Sequence, residues 1–126
     1  MSDLILLVED NDKNMKLARD LLQYHGFETI EATNAEDGIA LAKQRVPRLV
    51  LMDIQLPGMD GVSALEQLRK DQKTSRIPIV AMTASVMKED RERFDKAGFD
   101  GFITKPIDVR AFPQQVRDAV ARGRIT

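Results

Sequence analysis

The sequence of 126 residues contains no cysteine. Disulfide bonds, thiolate metal sites and thiol nucleophiles are therefore excluded, and the composition is compatible with a reducing compartment. Tryptophan is also absent and Tyr24 is the single tyrosine, so few side chains could stack on bases or on a flat cofactor. The longest purely apolar run, Leu4 to Val8, is far shorter than the roughly 20 residues that a membrane-spanning helix needs.

Neither sign of charge dominates the chain. Lysine and arginine total 19 against 20 for aspartate and glutamate, which leaves a net charge of -1 and no overall attraction for nucleic acid or anionic lipid. The first three residues have no basic region typical of a secretion signal. We therefore expect a cytoplasmic protein that binds neither nucleic acid nor membrane directly. Apolar residues at 43% and charged residues at 31% predict one globular domain over residues 1–126, with a frayed tail at 122–126.

Short apolar runs recur along the chain, with helix-like stretches between them. Runs of four to eight apolar residues between turn formers are typical of strands buried on both faces. The spacings are too long for hairpins, which predicts right-handed crossovers and an α/β doubly wound parallel sheet with helices on both faces. The second run is the least apolar and the fifth is short, so these two should form the edges. The predicted strands are Leu4–Val8, Glu28–Ala32, Leu49–Met52, Ile77–Met82 and Gly101–Thr104.

Five helices are predicted between and after these strands, most of them preceded by a polar residue that can cap the helix. Eight of the eleven residues from Met87 to Ala97, in the fourth helix, are charged, so little apolar surface can hold that helix to the sheet. In the fifth, Pro113 lacks a backbone N–H and should kink the helix or delay its start. The predicted helices follow Asn11 or Asp12, Asn34 and Asp60, run from about Val86 to Ala97, and follow Asp108.

Polar residues close four of the five predicted strands. In an open α/β sheet, ligands bind beyond the carboxyl ends of the strands, where these side chains should converge. Each residue alone could simply cap a helix, begin a turn or be solvated. Their combination favours a site, because two strands close on acids and the fifth closes on a lone cation. The residues are Glu9, Asp10, Asp53, Thr83 and Lys105.

Three neighbouring carboxylates would raise one another's pKa unless a cation lies among them. A hard divalent cation is therefore implied, and Mg²⁺ suits a site with few carboxylates. Lys105 is a flexible point charge that can reach a phosphate oxygen. With a metal bridging Asp53 and a phosphoryl group, the carboxylate becomes a competent nucleophile, and Thr83 can donate its hydroxyl to a phosphoryl oxygen.

Three other kinds of site are not supported by the sequence: an EF-hand loop, a glycine-rich phosphate loop and a functional histidine. The run from Asp10 to Asn14 is similar to the start of an EF-hand loop, but Met15 stands where that loop needs glycine and Leu21 where it needs glutamate. No glycine-rich phosphate loop follows the first strand, which argues against dinucleotide and P-loop binding. His25, the single histidine, precedes the helix stop at Gly26 and is interpreted as a solvated cation rather than a base or metal ligand.

Four motifs in order resemble the receiver domain of two-component response regulators. The similarity extends over essentially the whole chain, and with no output domain attached the chain resembles a stand-alone regulator of the kind that acts in cell division. The resemblance implies a five-stranded sheet in the flavodoxin-like order 2-1-3-4-5. The motifs are Val8–Asp12, Met52–Gly61, Met82–Ala84 and Ile103–Pro106.

The resemblance implies that Asp53 accepts a phosphoryl group from a histidine kinase or a histidine phosphotransfer protein, after which the binding of a downstream protein partner changes. Glu9, Asp10 and Asp53 would bind Mg²⁺, and the backbone carbonyl of Gln55 would be a further ligand. Gln55 and Ser85 also resemble the positions that tune the lifetime of the phosphoryl group.

The same resemblance implies roles near the end of the sheet. Thr83 and Lys105 would hold the phosphoryl oxygens, and the bond between Lys105 and Pro106 would be the cis peptide of the family. Phe102 occupies the position of the switch aromatic, which turns inward when Thr83 moves. An ordinary core residue is the alternative interpretation of Phe102, and a phenylalanine in place of the frequent tyrosine leaves the switch to packing alone.

The sequence thus predicts a phosphorylation-dependent switch that is not an enzyme beyond its own phosphorylation and dephosphorylation. We expect its partner surface on the fourth helix, fifth strand and fifth helix, which suits a phosphorylation-dependent homodimer and another protein equally well. The alternative function is a Mg²⁺-dependent phosphatase with an aspartyl nucleophile, although Gln55 stands where many such hydrolases have a second acid. A pseudo-receiver that accepts no phosphate is opposed by the complete set of acids, Thr83 and Lys105.

Overall fold

The computed structural model describes residues 2–56, 58–84 and 87–124. Within these residues, five strands alternate with five helices, and no helix is long and apolar enough to cross a membrane. The elements in chain order are β1 (Leu4–Val8), α1 (Asp12–Tyr24), β2 (Glu28–Ala32), α2 (Ala35–Arg45), β3 (Leu49–Asp53), α3 (Gly61–Lys70), β4 (Ile79–Thr83), α4 (Lys88–Ala97), β5 (Phe102–Thr104) and α5 (Phe112–Arg122).

The five strands form one parallel sheet in the order β2-β1-β3-β4-β5. The predicted α/β doubly wound fold is confirmed, and β2 and β5 lie at the edges as expected. Asp53 pairs with Met82 and Thr83 pairs with Thr104, so the carboxyl ends of β3, β4 and β5 lie side by side. This register gathers the polar residues that end the strands.

Both faces of the sheet are buried. Along β1, Ile5 and Leu7 contribute to one apolar cluster while Leu6 and Val8 contribute to the other, as the period of two along a strand requires. Helices α1 and α5 cover the first face, and α2, α3 and α4 cover the second. The helices contribute Met15, Ala18, Leu22, Phe112 and Val116 on one side and Ala35, Ile39, Ala42, Leu65, Leu68 and Phe94 on the other.

Side-chain caps begin the first three helices. Of the two candidates for α1, Asn11 is the cap, and each capping oxygen accepts a backbone N–H from the residue three positions on. Such a bond satisfies one of the four N–H groups that a helix leaves without an internal partner. The cap and donor pairs are Asn11 with Asn14, Asn34 with Asp37, and Asp60 with Ser63.

Four predicted boundaries, in three strands, differ from the structure. Strands β3 and β4 each extend one residue further than expected, so that Asp53 and Thr83 belong to the sheet. Strand β4 begins at Ile79 because the N–H of Ile77 is held in a turn by the carbonyl of Thr74. Strand β5 begins at Phe102, one residue later than predicted.

The last two helices also begin later than the sequence pattern indicates. The predicted start of α4 at Val86 lies outside the described residues, and the helix itself begins at Lys88. Met87 is 59% exposed and Phe94 is the buried residue of α4. Pro113 delays α5 rather than kinking it, since it lies in the first turn, where a missing N–H removes no internal hydrogen bond.

Candidate functional site

The structure brings together the polar residues that end four strands. Glu9 follows β1, Asp53 ends β3, Thr83 ends β4 and Lys105 follows β5. Glu9 and Asp53 are each only 4% exposed and Thr83 is also buried, although their side chains are polar. Burial of such groups is unfavourable unless they are paired, so their contacts define the site.

Lys105 bridges the two buried carboxylates. Its Nζ donates to Asp53 Oδ2 at 2.9 Å and to Glu9 Oε2 at 3.2 Å, and its side chain is 17% exposed. Burial acts to lower the pKa of the Lys105 ammonium, but the hydrogen bonds and charges of Asp53 and Glu9 outweigh burial and raise that pKa. Lys105 is therefore a fixed positive charge at the carboxyl edge of the sheet.

Glu9 is held at the start of the loop that precedes α1. Its Oε1 accepts the backbone N–H of Asn11 at 3.2 Å and the side-chain amide of Asn14 at 3.3 Å. Burial raises the pKa of Glu9, and the charge of Asp53 raises it further, while Lys105 opposes both effects. Lys105 therefore compensates the negative charge of Glu9 only in part, which favours the binding of a further cation beside this carboxylate.

Carboxylate oxygens of Glu9, Asp10 and Asp53 lie within 4.8 Å of one another. Glu9 and Asp53 are buried, whereas Asp10 is exposed and leaves the cluster open on one side. An all-oxygen, acidic donor set suits a hard divalent cation such as Mg²⁺, which keeps several water ligands and therefore needs an open side. The residues fit the ion that the sequence predicts.

Asp53 is oriented by the loop that follows it. Its Oδ1 accepts the backbone N–H of Gln55 at 3.0 Å, and the N–H of Ile54 bonds to the carbonyl of Met82 on β4. Gly61, which begins α3, lies so close that a Cβ atom there would come within 2.9 Å of the Asp53 carbonyl oxygen. Glycine at this position lets the loop return tightly against the strand. Pro57, in the same loop, lies outside the described residues.

A cavity of about 130 Å³ opens beside Asp53. Its walls come from the ends of β3 and β4, from Lys105 and from the first turns of α4. The cavity is small, and two acidic and two basic residues line it, so it suits a small polar group rather than a large organic ligand. The lining residues are Asp53, Ile54, Gln55, Thr83, Ala84, Asp90, Arg93, Phe94 and Lys105.

Strand β5 and the segment after it connect the site to the aromatic side chains beneath α4. The Lys105–Pro106 peptide bond is cis, and the backbone N–H of Lys105 donates to the carbonyl of Thr83 at 2.8 Å. Phe102 is half-buried, with its ring centre 6.2 Å from that of Phe94. The guanidinium carbon of Arg91 lies 5.9 Å from the centre of the Phe102 ring.

The sequence interpretation missed the contribution of α4. The sequence analysis placed this helix in the partner surface and assigned none of its residues to the site, but Asp90 and Arg93 line the cavity. Arg91 donates to the Thr104 hydroxyl at 3.2 Å. The spacing of Asp90, Arg93 and Phe94 was the available signal, since residues three and four apart lie on one helix face. Ser85, a predicted modulator of the site, lies outside the described residues.

The model of the response regulator receiver domain family matches residues 5–117. Two curated relatives carry the description polar-differentiation response regulator DivK. The protein from Brucella anthropi is 42% identical over 113 residues, covering 90% of this chain and 92% of the relative. The protein from Brucella ovis is 40% identical over 117 residues, covering 93% and 95%.

Solved structures show the same architecture. The receiver domain of the sensor histidine kinase PA1611 from Pseudomonas aeruginosa PAO1 has a TM-score of 0.87 and 28% identity, covers 96% of this chain and 99% of that one, and holds a magnesium ion in its active site cleft. The Mn²⁺-bound response regulator Rcp1 has a TM-score of 0.75, 25% identity and coverage of 93% and 91%. CheY4 of Vibrio cholerae, with a TM-score of 0.89, 19% identity and coverage of 94% and 98%, supports the fold.

Proposed function

Because the chain belongs to the response regulator receiver domain family, whose members signal through phosphorylation, we propose that Asp53 is the residue that accepts the phosphoryl group. The observation that carries this proposal is the contact of Lys105 with both Asp53 and Glu9 beside an open cavity. A carboxylate at the rigid end of a buried strand is held in position, yet the cavity leaves it accessible to a phosphodonor.

The phosphoryl group comes from the phosphohistidine of a histidine kinase or a histidine phosphotransfer protein. A carboxylate oxygen of Asp53 forms the new bond to phosphorus as the bond from phosphorus to the donor nitrogen breaks. Lys105 then holds a phosphoryl oxygen by a charge-assisted hydrogen bond, and the hydroxyl of Thr83 donates to another. Both residues line the cavity with Asp53, which supports these roles.

We assign the metal site to Glu9, Asp10 and Asp53, with the backbone carbonyl of Gln55 as a further ligand. The clustered carboxylate oxygens support this assignment, as does the magnesium ion in the cleft of the related Pseudomonas receiver domain. When bound, Mg²⁺ neutralises charge on the phosphoryl oxygens and lets two anions approach each other.

Phosphorylation is read by a protein partner at the surface formed by α4, β5 and α5, or by a second copy of the chain at that same surface. Phe102 and Thr83 form the switch, with Phe102 turning inward as Thr83 moves towards the phosphoryl group. The half-buried position of Phe102 supports this role, because the ring has both a solvent side and a core side. Amide shifts confined to the loops around Asp53 on phosphorylation would contradict this choice of surface.

We propose that the chain acts in the cytoplasm, in cell division or polarity. The relatives described as polar-differentiation response regulators support the role in polarity. A comparison of phosphotransfer rates from several histidine kinases to the purified chain would identify the partner, and with it the process. A true partner should phosphorylate Asp53 within seconds to minutes, whereas kinases of other systems should be much slower.

The alternative function is a Mg²⁺-dependent phosphatase that uses Asp53 as its nucleophile. The exposed Gln55 lines the cavity where such an enzyme needs an acid, and an amide is too weak an acid to protonate a leaving group. Incubation with Mg²⁺ and p-nitrophenyl phosphate separates the two functions. The switch predicts no sustained release of nitrophenol, while multiple turnover that is lost in Asp53→Asn would establish the phosphatase.

A further inference from the structure

Helix α4 places a second cation at the cavity beside Asp53. Asp90, Arg93 and Phe94 all line this cavity, so one face of α4 lies directly over the site. Of the residues that line it, Lys105 and Arg93 are the cationic ones. Lys105 already donates to two carboxylates, whereas Arg93 belongs to a helix with a single buried residue, Phe94.

The contacts of Arg93 are weak enough to be exchanged. Its Nη2 lies 3.6 Å from Asp90 Oδ1, its guanidinium carbon lies 5.0 Å from the centre of the Phe94 ring, and its side chain is 68% exposed. An exposed ion pair of this kind contributes at most about a factor of five to an equilibrium at 25 °C. A stronger anion in the cavity would therefore compete successfully with Asp90.

Phosphorylation supplies such an anion. A phosphoryl group on Asp53 brings roughly two negative charges and three acceptor oxygens in place of one carboxylate charge. Guanidinium groups match phosphate oxygens with two parallel N–H donors, which a lysine cannot do. The cavity of about 130 Å³ places the phosphoryl group next to the residues that α4 contributes.

We propose that Arg93 exchanges Asp90 for the phosphoryl group on Asp53, and that this exchange couples the position of α4 directly to phosphorylation. The inference rests on the proposed function of Asp53. The exchange adds a second contact to the switch. Arg93 then links α4 directly to the phosphoryl group, in addition to the link through Thr83 and Phe102. Helix α4 can respond because Phe94 is its one buried residue, and Ala97 packs against the core only in part.

Beryllofluoride, which mimics a phosphoryl group on a carboxylate, tests this proposal at saturating Mg²⁺. Amide shifts are followed during titration of the unaltered chain, Arg93→Ala and Arg93→Lys, with Lys88→Ala as the control. Lys88 also lies on α4 and is highly exposed, but it does not line this cavity. Arg93→Ala should weaken the apparent affinity for beryllofluoride about three- to fivefold and reduce the shifts along α4, while leaving those at Asp53 in place.

Arg93→Lys should restore part of the affinity, since it keeps the charge without the planar group, and Lys88→Ala should behave as the unaltered chain does. Equal affinity and equal α4 shifts in Arg93→Ala would overturn the role of Arg93. Failure of the unaltered chain to bind beryllofluoride would instead overturn the proposed function of Asp53, so the two failures are distinguishable.

Substitution of Asp90 should change the affinity for beryllofluoride in the opposite direction. Asp90→Asn removes the competing carboxylate, so the affinity for beryllofluoride should rise in the presence of Arg93. In the double variant with Arg93→Ala, Asp90→Asn should change this affinity less, because there is no longer an Arg93 guanidinium for Asp90 to hold. Equal effects of Asp90→Asn in both backgrounds would contradict the exchange and indicate independent electrostatic contributions.

Discussion

Lys105 Nζ lies 2.9 Å from Asp53 Oδ2, although the two residues are 52 positions apart in the sequence. The pairing depends on the sheet order, because β4 lies between β3 and β5 and the carboxyl ends of all three meet at one edge. Lys105 Nζ also lies 3.2 Å from Glu9 Oε2 and so offsets part of the charge of two buried acids. The site that should bind metal and phosphoryl group is therefore held together by one ammonium group.

Lys105→Ala should destabilise the metal-free protein and strengthen its binding of Mg²⁺. The variant leaves Glu9 and Asp53 without their shared cation, which should lower the free energy of unfolding by about 1–3 kcal/mol. The same loss removes a positive charge that repels the ion. Urea unfolding with and without Mg²⁺ measures both effects, with the exposed Lys70→Ala as control. A smaller stabilisation by Mg²⁺ in Lys105→Ala than in the unaltered chain would contradict this account.

Mg²⁺ should stabilise the fold, because the acidic cluster exists only in the folded chain. At a free concentration of tenfold the dissociation constant, the stabilisation should be about 1.4 kcal/mol. Thermal unfolding should show a higher melting temperature with Mg²⁺ than with the same ionic strength of Na⁺. Asp53→Asn should reduce the increase, and an increase of the same size in Asp53→Asn would exclude Asp53 as a ligand.

The stability of the metal-free protein should depend on the protonation of Glu9. Burial and the charge of Asp53 raise the pKa of Glu9 above its ordinary value of 4.5, so the folded state retains this proton to a higher pH than the unfolded state does. The contribution of Glu9 to the free energy of unfolding should therefore be largest below pH 4.5 and fall as the pH rises through the folded-state pKa.

Glu9→Gln is the variant that isolates this dependence. Without metal it should be more stable than the unaltered chain at pH 7, and the difference should shrink as the pH is lowered towards 4.5. Denaturant unfolding at a series of pH values measures the difference. If the difference instead grew as the pH fell, the folded-state pKa of Glu9 would be lowered rather than raised.

Asp100 should be important for stability at the opposite end of β4. Its Oδ2 accepts from Arg69 Nη2 at 2.7 Å and from the backbone N–H of Ile79 at 2.8 Å, and both charged side chains are largely buried. Asp100→Ala should lower the free energy of unfolding by about 3–5 kcal/mol, because it leaves Arg69 with a buried charge. Glu31→Ala, which breaks the exposed pair with Arg19, should lower it by less than about 1 kcal/mol. Similar losses in the two variants would be inconsistent with this difference in burial.

The sequence predicted the features that depend on local pattern. Apolar runs located the strands, and Asn34 and Asp60 marked helix starts because a cap is a short-range hydrogen bond. The polar residues at strand ends were predicted to converge because all parallel strands end at one edge. The Mg²⁺ site and the roles of the residues around Asp53 stay predictions.

Features that depend on tertiary packing could not be predicted. The position of Arg93 at the cavity follows from how α4 packs against α3 and the core. Helical spacing puts Asp90, Arg93 and Phe94 on one face, but it does not determine what that face contacts. Arg69 pairs with Asp100, which lies 31 positions further along the chain in a loop, and no sequence motif predicts this contact. Long-range pairs of this kind are determined by the fold as a whole.

The proposed function requires that Asp53 takes a phosphoryl group from a donor in the presence of Mg²⁺. Incubation with acetyl phosphate and Mg²⁺, followed by intact mass measurement, tests it directly, with Asp53→Asn and a sample containing EDTA in parallel. One base-labile phosphoryl group is expected on the unaltered chain, and none on Asp53→Asn or without the metal. No adduct on the unaltered chain, or an adduct of equal yield on Asp53→Asn, would contradict it.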